Sequence, residues 1–281
     1  MYIRTLAFHD QKAVEKMDTG IPHDYVKEKF LYLLCHDHLF GAFSGDELIS
    51  IAGYTVFAEQ YAMLGRLRTA AAYRGRGIGT IMMEYVQTKA LEQPAVQWTG
   101  FITQVTNKQT IKIAQTLMLE PVQTQYYGYL TAAGEKALSQ RTSSRHEWEK
   151  VMDNNKKRQL LQRTANDYDR TRVFPYNIYC PLPFEESLWS DRYLDQCQCY
   201  QSGSRLFLLM KDDRIGSYYH VKYFWNDVFE QHGLWSIVTN QAALSHRRIW
   251  LDLTPSSARS LPDVSYVKVD TPWTLFGRHF S

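Results

Sequence analysis

A chain of 281 residues exceeds the usual span of one domain and predicts two. With 44% hydrophobic and 22% charged residues it falls in the globular class, which excludes a disordered chain. The formal net charge of +3 comes from scattered basic residues, and no run approaches the ~20 apolar residues of a membrane span, so neither nucleic acid nor membrane is an expected partner. The opening Met1-Tyr2-Ile3-Arg4 lacks a signal-peptide pattern, and a cytoplasmic protein is expected.

Ile3 to Ala7 reads as a strand, and Asp10 as the cap of a following helix. Asp24 is suited to cap a second helix, Tyr25 to Leu34. Cys35-His36-Asp37-His38 carries metal-binding atoms but falls between a helix and a strand, and reads as a loop. Two extended runs, Leu39 to Phe43 and Glu47 to Phe57, flank the turn triplet Ser44-Gly45-Asp46, and a third covers Met63 to Thr69. From Ile78 the apolar spacing turns helical, through Ile81, Met82, Tyr85, Val86 and Ala90, until Pro94. Val96 to Val105 predicts a strand, Asn107 to Leu119 a helix stopped by Pro121, and Gln125 to Leu130 a last strand. These elements predict an α/β domain with a mixed sheet over residues 1–133.

Residues 134–170 are polar and helical in propensity, and read as a connector to a second, smaller α/β domain at 171–281. Its core candidates are Arg205 to Met210, Ile215 to Trp225, Trp235 to Thr239, Ile249 to Leu253 and Tyr266 to Val269. Cys197-Gln198-Cys199 matches no common zinc spacing, and with four cysteines in all, reduced thiols and no metal are expected.

The chemistry concentrates in Tyr73-Arg74-Gly75-Arg76-Gly77-Ile78-Gly79-Thr80, between a strand and a helix. Glycines there let a ligand approach the backbone, and successive amides at a helix N-terminus attract phosphate. A dinucleotide fingerprint would follow the first strand of a βαβ unit, and a P-loop would continue into Gly-Lys-Ser or Gly-Lys-Thr; neither holds. A plain structural turn remains open on spacing alone.

Arg74-Gly75-Arg76-Gly77-Ile78-Gly79 resembles the Arg/Gln-x-x-Gly-x-Gly/Ala pyrophosphate loop of the GNAT superfamily of N-acetyltransferases, and the order of elements from Ile3 to Leu130 agrees. The resemblance implies that acetyl-CoA is the cosubstrate. It also implies that the amides of Gly75, Arg76, Gly77, Ile78, Gly79 and Thr80 hold the pyrophosphate, with Arg74 and Arg76 adding charge. Leu67, Arg68 and Thr69 would then pair with the pantetheine arm, and Asn107 would touch it from the other side. An amine would attack the thioester directly in a ternary complex. That amine needs a base, for which Glu59 and then Tyr61 are the candidates, and a strand N–H near Leu67 or Arg68 would meet the developing oxyanion. Ala114 departs from the family's pattern, which often places an acid-donating tyrosine there.

Strand, turn and strand across Arg205 to Val221, with Lys211-Asp212-Asp213-Arg214 as the turn, resemble the second and third strands of the same fold without its glycine loop. A degenerate second copy is the leading reading, against an unrelated substrate domain. The expected function is transfer of an acetyl group to the primary amine of a small molecule or peptide. Two alternatives stay open: a CoA-binding regulator without turnover, and an antibiotic-modifying acetyltransferase.

Overall fold

A computed structural model describes residues 1–140, 148–167 and 173–280, and divides the chain into two compact units. The first comprises Met1–Pro121 together with Phe276–Ser281, and the second Val122–Leu275.

In the first unit, β1 (Tyr2–Thr5) leads through three short helices, α1 (Gln11–Lys16), α2 (Tyr25–Glu28) and α3 (Phe30–His36), to β2 (His38–Ser44), β3 (Glu47–Phe57) and β4 (Tyr61–Thr69). Then come α4 (Ile78–Leu91), β5 (Trp98–Gln104) and α5 (Lys108–Thr116). Strands β1 to β4 pair antiparallel in chain order, and β5 joins β4 in parallel. Asp24 caps α2 by accepting from the Val26 N–H at 3.0 Å. Asp10 instead accepts from the Ala7 N–H at 2.8 Å and pairs with Arg4, so it ties down the turn before α1 and leaves that helix uncapped.

Each face of this sheet is covered. Ile78, Met82, Val86 and Ala90, one turn apart on α4, pack with Ala62, Leu64 and Phe101 on one side. Val14, Val26, Phe30 and Leu33 from the short helices pack with Leu39, Phe43 and Ile51 on the other.

The second unit starts with β6 (Glu120–Leu130), whose first two residues still belong to the first unit, and α6 (Ala132–Ser139). It continues through β7 (Glu149–Val151), α7 (Asn154–Asp167), the hairpin β8 (Val173–Asn177) and β9 (Cys180–Pro183), and α8 (Asp191–Asp195). Then follow β10 (Cys197–Ser202), β11 (Arg205–Asp212), β12 (Tyr218–Tyr223), α9 (His232–Ser245), β13 (Arg248–Leu253) and α10 (Pro255–Arg259). The chain ends with β14 (Val267–Val269) and β15 (Trp273–His279). Strands β7, β10, β11 and β12 pair antiparallel in that order, and β13 joins β12 in parallel across a connection containing α9. This is the order of the first unit repeated. Trp235 and Val238, core candidates in the sequence, are buried in α9.

The last strand of each unit comes from the other half of the sequence. The segment read as the closing strand of residues 1–133 is β6, and it pairs with β13 and β14 of the second unit. The matching place in the first unit goes to the end of β15, where Phe280 N–H donates to the Gln97 carbonyl at 2.8 Å and Phe276 packs against Phe101. The Trp98 indole, 1% exposed, lies over this junction. A Cβ on Gly277 would stand 2.2 Å from Trp98 Cζ2, and one on Gly100 would stand 2.2 Å from Trp98 Cη2.

Gly277→Ala should therefore destabilise the first unit by about 1–3 kcal/mol, because the buried indole cannot retreat. Urea denaturation checks this, and the same substitution should cost clearly less in a Trp98→Leu background. Equal costs in both backgrounds would show that the indole does not set the requirement.

Candidate functional site

The glycine turn sits where β4 hands over to α4. Gly75 has φ +74, and Gly77, the N-cap of α4, has φ +76. No atom lies within 4 Å of a Cβ built on either, so the left-handed backbone accounts for the glycines and leaves open space before it. The first helical bond runs from Ile81 N–H to the Gly77 carbonyl, so the N–H groups of Ile78, Gly79 and Thr80 have no acceptor inside the helix. No acidic residue occupies the first turn of α4, and the dipole there favours an anion. The cradle is suited to an anion.

The side chains of this loop divide their duties. Ile78 is buried in the core, so it can offer a ligand only its backbone. Arg74 turns back to donate to the Thr19 carbonyl and, at 3.2 Å, to the Thr69 carbonyl, which anchors the loop to the segment before α2. Arg76 donates to the Ala72 carbonyl at 3.1 Å and lies over the Tyr73 ring, on the exposed side.

Beside the loop the sheet opens. The β4–β5 ladder covers only Tyr61 to Met63 opposite Trp98 to Gly100, although β4 continues to Thr69. The backbone of Leu64 to Thr69 thus has no register with β5, and its polar groups on that side offer an edge to an extended ligand. On its other side β4 carries a bulge. Ile51 faces Arg68 and Gly53 faces Gly65, so Arg66 and Leu67 together oppose Ala52. Arg66 takes φ +57 to accommodate the surplus.

Leu67 and Thr69 end on the α4 side, within 3.5 and 3.7 Å of a Cβ built on Gly79. Arg68 ends on the opposite side, where its Nε donates to both Asp24 oxygens at 2.9 and 2.8 Å. Burial works to raise the Asp24 carboxyl, but hydrogen bonds from Arg68, Thr19 and the Val26 N–H outweigh it and hold the pKa below the ordinary value. The Arg68 side chain is therefore committed to Asp24 and, through Nη1 at 2.9 Å, to the Leu67 carbonyl. Asn107 caps α5 by accepting from the Thr110 N–H at 3.2 Å, which leaves its amide NH2 as a donor. Ala114 is fully buried on the core face of α5, so its position is filled by core packing.

The structure does not bring Glu59 and Tyr61 to this opening. Glu59 is exposed at φ +62 on the β3–β4 turn. Tyr61 is 1% exposed and stands opposite Trp98 in the closed part of the ladder, about 17 Å along the strand from Arg66.

These elements coincide with a family model. Residues 8–117 match the acetyltransferase (GNAT) family. Within the first unit, residues 8–117 are similar to a GNAT acetyltransferase domain. No curated protein matches the chain at a significant level. Solved structures share its fold at low identity. An acetyltransferase candidate from Thermoplasma acidophilum is 12% identical with a TM-score of 0.60, covering 100% of both chains. A GCN5-related N-acetyltransferase from Sphaerobacter thermophilus is 12% identical with a TM-score of 0.57, covering 99% of this chain and 95% of its own. A further acetyltransferase candidate, from Pyrococcus horikoshii, is 15% identical with a TM-score of 0.56, covering 100% and 89%.

The second unit has the GNAT strand order but no comparable cradle. Between β12 and α9 the chain runs Phe224 to Gln231, with Val228 and Phe229 buried and the Trp235 indole donating to the Val228 carbonyl at 2.8 Å. Asp227 sits at this entry, accepting from Arg205, Tyr223 and Gln231, and its charge opposes a phosphate. Beneath the β8–β9 hairpin, fully buried Lys222 donates to the Tyr176 carbonyl and the Tyr193 hydroxyl, each at 2.6 Å. Burial pulls its pKa down to about 8. Among the described residues no group of three or more His, Cys, Asp or Glu could hold a metal, and no helix is long and apolar enough to cross a membrane.

Calorimetry with CoA should give one site per chain. Gly77→Val should abolish measurable binding, because a β-branched residue resists φ +76. Gly79→Ala should bind nearly as wild type, since its methyl would make ordinary contacts from 3.5 Å outward. Equal losses in both variants would contradict the cradle geometry.

A second measurement addresses Lys222. An unfolded lysine keeps its proton to about pH 10.4, so between pH 8 and 10 the unfolded chain binds more protons and this group's contribution to stability rises with pH. Below pH 8 its contribution is flat. Buried Tyr193 and Cys197, both with raised pKa values, act in the opposite sense, so the contribution of Lys222 is read as a difference from Lys222→Met rather than from the wild type alone. The stability of Lys222→Met relative to wild type should therefore fall as pH rises from 8 to 10, and a constant difference would show that Lys222 is not perturbed.

Proposed function

We propose that this chain transfers the acetyl group of acetyl-CoA to a primary amine of a small molecule or peptide by direct attack. One observation carries the reading: an anion cradle, open in front of Gly75 and Gly77, adjoins the stretch of β4 that has no register with β5. Acetyl-CoA would supply an activated acyl group. The amides from Gly75 to Thr80 hold the diphosphate, the backbone of Leu67 to Thr69 aligns the arm, and the Asn107 amide donates from α5. A backbone N–H on the open edge of β4 donates to the thioester carbonyl, and being fixed in the strand it needs no reorganisation.

An alkylammonium must lose its proton before it can attack. With Glu59 on the outer turn and Tyr61 in the closed ladder, the proton leaves to water, directly or through a relay. The second unit, which lacks a cradle of its own, contributes no second transfer site. A regulator that binds CoA without turnover is the second reading, favoured by the alanine at position 114.

Assayed with acetyl-CoA against a panel of amines, kcat/KM should rise with pH until the acceptor itself is deprotonated, and Glu59→Gln should overlay the wild-type profile. A roughly tenfold or larger loss in Glu59→Gln at neutral pH would restore Glu59 as the base. CoA binding without acetyl transfer to any amine would favour the regulator.

A further inference from the structure

Arginine seldom adopts a left-handed backbone, yet Arg66 does so at the bulge of β4. Its guanidinium explains how the conformation is held. Nη2 donates to Thr55 Oγ1 at 2.7 Å and to Asp37 Oδ1 at 3.0 Å, and lies 2.9 Å from Asp37 Oδ2. Thr55 Oγ1 in turn donates to Asp37 Oδ1 at 2.5 Å. The Asp37 side chain is 3% exposed and that of Arg66 20%, so the pair is shielded from water and costly to break from one side. Asp37 closes α3, and Thr55 on β3 stands opposite Met63, the last residue of β4 that pairs with β5. One guanidinium thus pins a helix end, a neighbouring strand and the bulge, at the point where β4 and β5 part.

A bulge free to move along a strand changes the face of every side chain between its old and new places. Glycine at position 66 would relax the backbone and remove the pin. We infer that Arg66, held by Asp37 and Thr55, is a positioning residue for acetyl transfer: it locks the extra residue of β4 and so fixes which backbone groups from Gly65 to Thr69 turn toward the acyl group. This rests on the transferase reading above.

The test uses the full chain carrying Arg66→Gly, which accepts the backbone angle but cannot bridge Asp37 and Thr55. Hydrogen exchange over residues 64–69 should quicken, CoA affinity by calorimetry should stay within about threefold, and kcat should fall roughly 10- to 100-fold with little change in the KM for acetyl-CoA. Arg66→Lys, which keeps the charge on a shorter side chain, should fall between. Thr55→Val removes one strut at constant volume and should reproduce the pattern in weaker form, which keeps the test available if Arg66→Gly does not fold. Wild-type exchange and kcat in either Arg66→Gly or Thr55→Val would overturn the inference, as would parallel loss of CoA affinity and kcat in Thr55→Val. A wild type that acetylates no amine would instead sink the transferase reading, and exchange in β4 would still judge the pin.

Discussion

Strand β4 carries one more residue than β3 between Gly65 and Arg68, and the first unit depends on where that surplus is held. Before the bulge, Ala62 and Leu64 face the α4 core; after it, Leu67 and Thr69 do. Were the same residues threaded without a bulge, the alternation would run on unbroken, and Leu67 and Thr69 would emerge on the side of the short helices. Arg68 would then lose Asp24, and the wall of the cradle beside Gly79 would lose the two side chains that form it. The cradle, the open edge and the Asp24 anchor are consequences of a single register shift.

That shift works only because β5 leaves β4 after Met63. A ladder continued to Thr69 would satisfy the edge internally and leave nothing for a ligand to pair with. The far side of β5 is covered by the end of β15, with Gly277 and Gly100 admitting the Trp98 ring. The first half of the sequence therefore lacks an essential part of its own sheet.

The second unit shows what the fold becomes when the same strand order is kept and the cradle is lost. Its turn between β12 and α9 is closed by Val228, Phe229 and Trp235, and its sheet buries Lys222 under aromatic rings. Burying an ammonium is costly unless carbonyl and hydroxyl oxygens replace its water, and here Tyr176 and Tyr193 do so. Space that a ligand cradle keeps open is filled with side chains.

Much of the first unit was legible in the sequence, because local chemistry wrote it. Helical spacing from Ile78 to Ala90, the Asp24 cap and the alternating glycines each follow from backbone preferences within a few residues. The same local signals identified the cradle, and with it the family. What they could not show was every feature that depends on which strand lies beside which. Gln125 to Leu130 reads correctly as a strand, but no residue in it records that its partners are β13 and β14. Nor does an arginine announce a left-handed angle, since that angle exists only because Asp37 and Thr55, distant in the chain, hold its guanidinium. Glu59 and Tyr61 are base candidates through the family resemblance, and the parting of β4 from β5 is a property of two strands. Local preference decides what a segment becomes; the burial and hydrogen bonds that decide where it goes are shared among residues far apart in sequence, and only the tertiary structure brings them together.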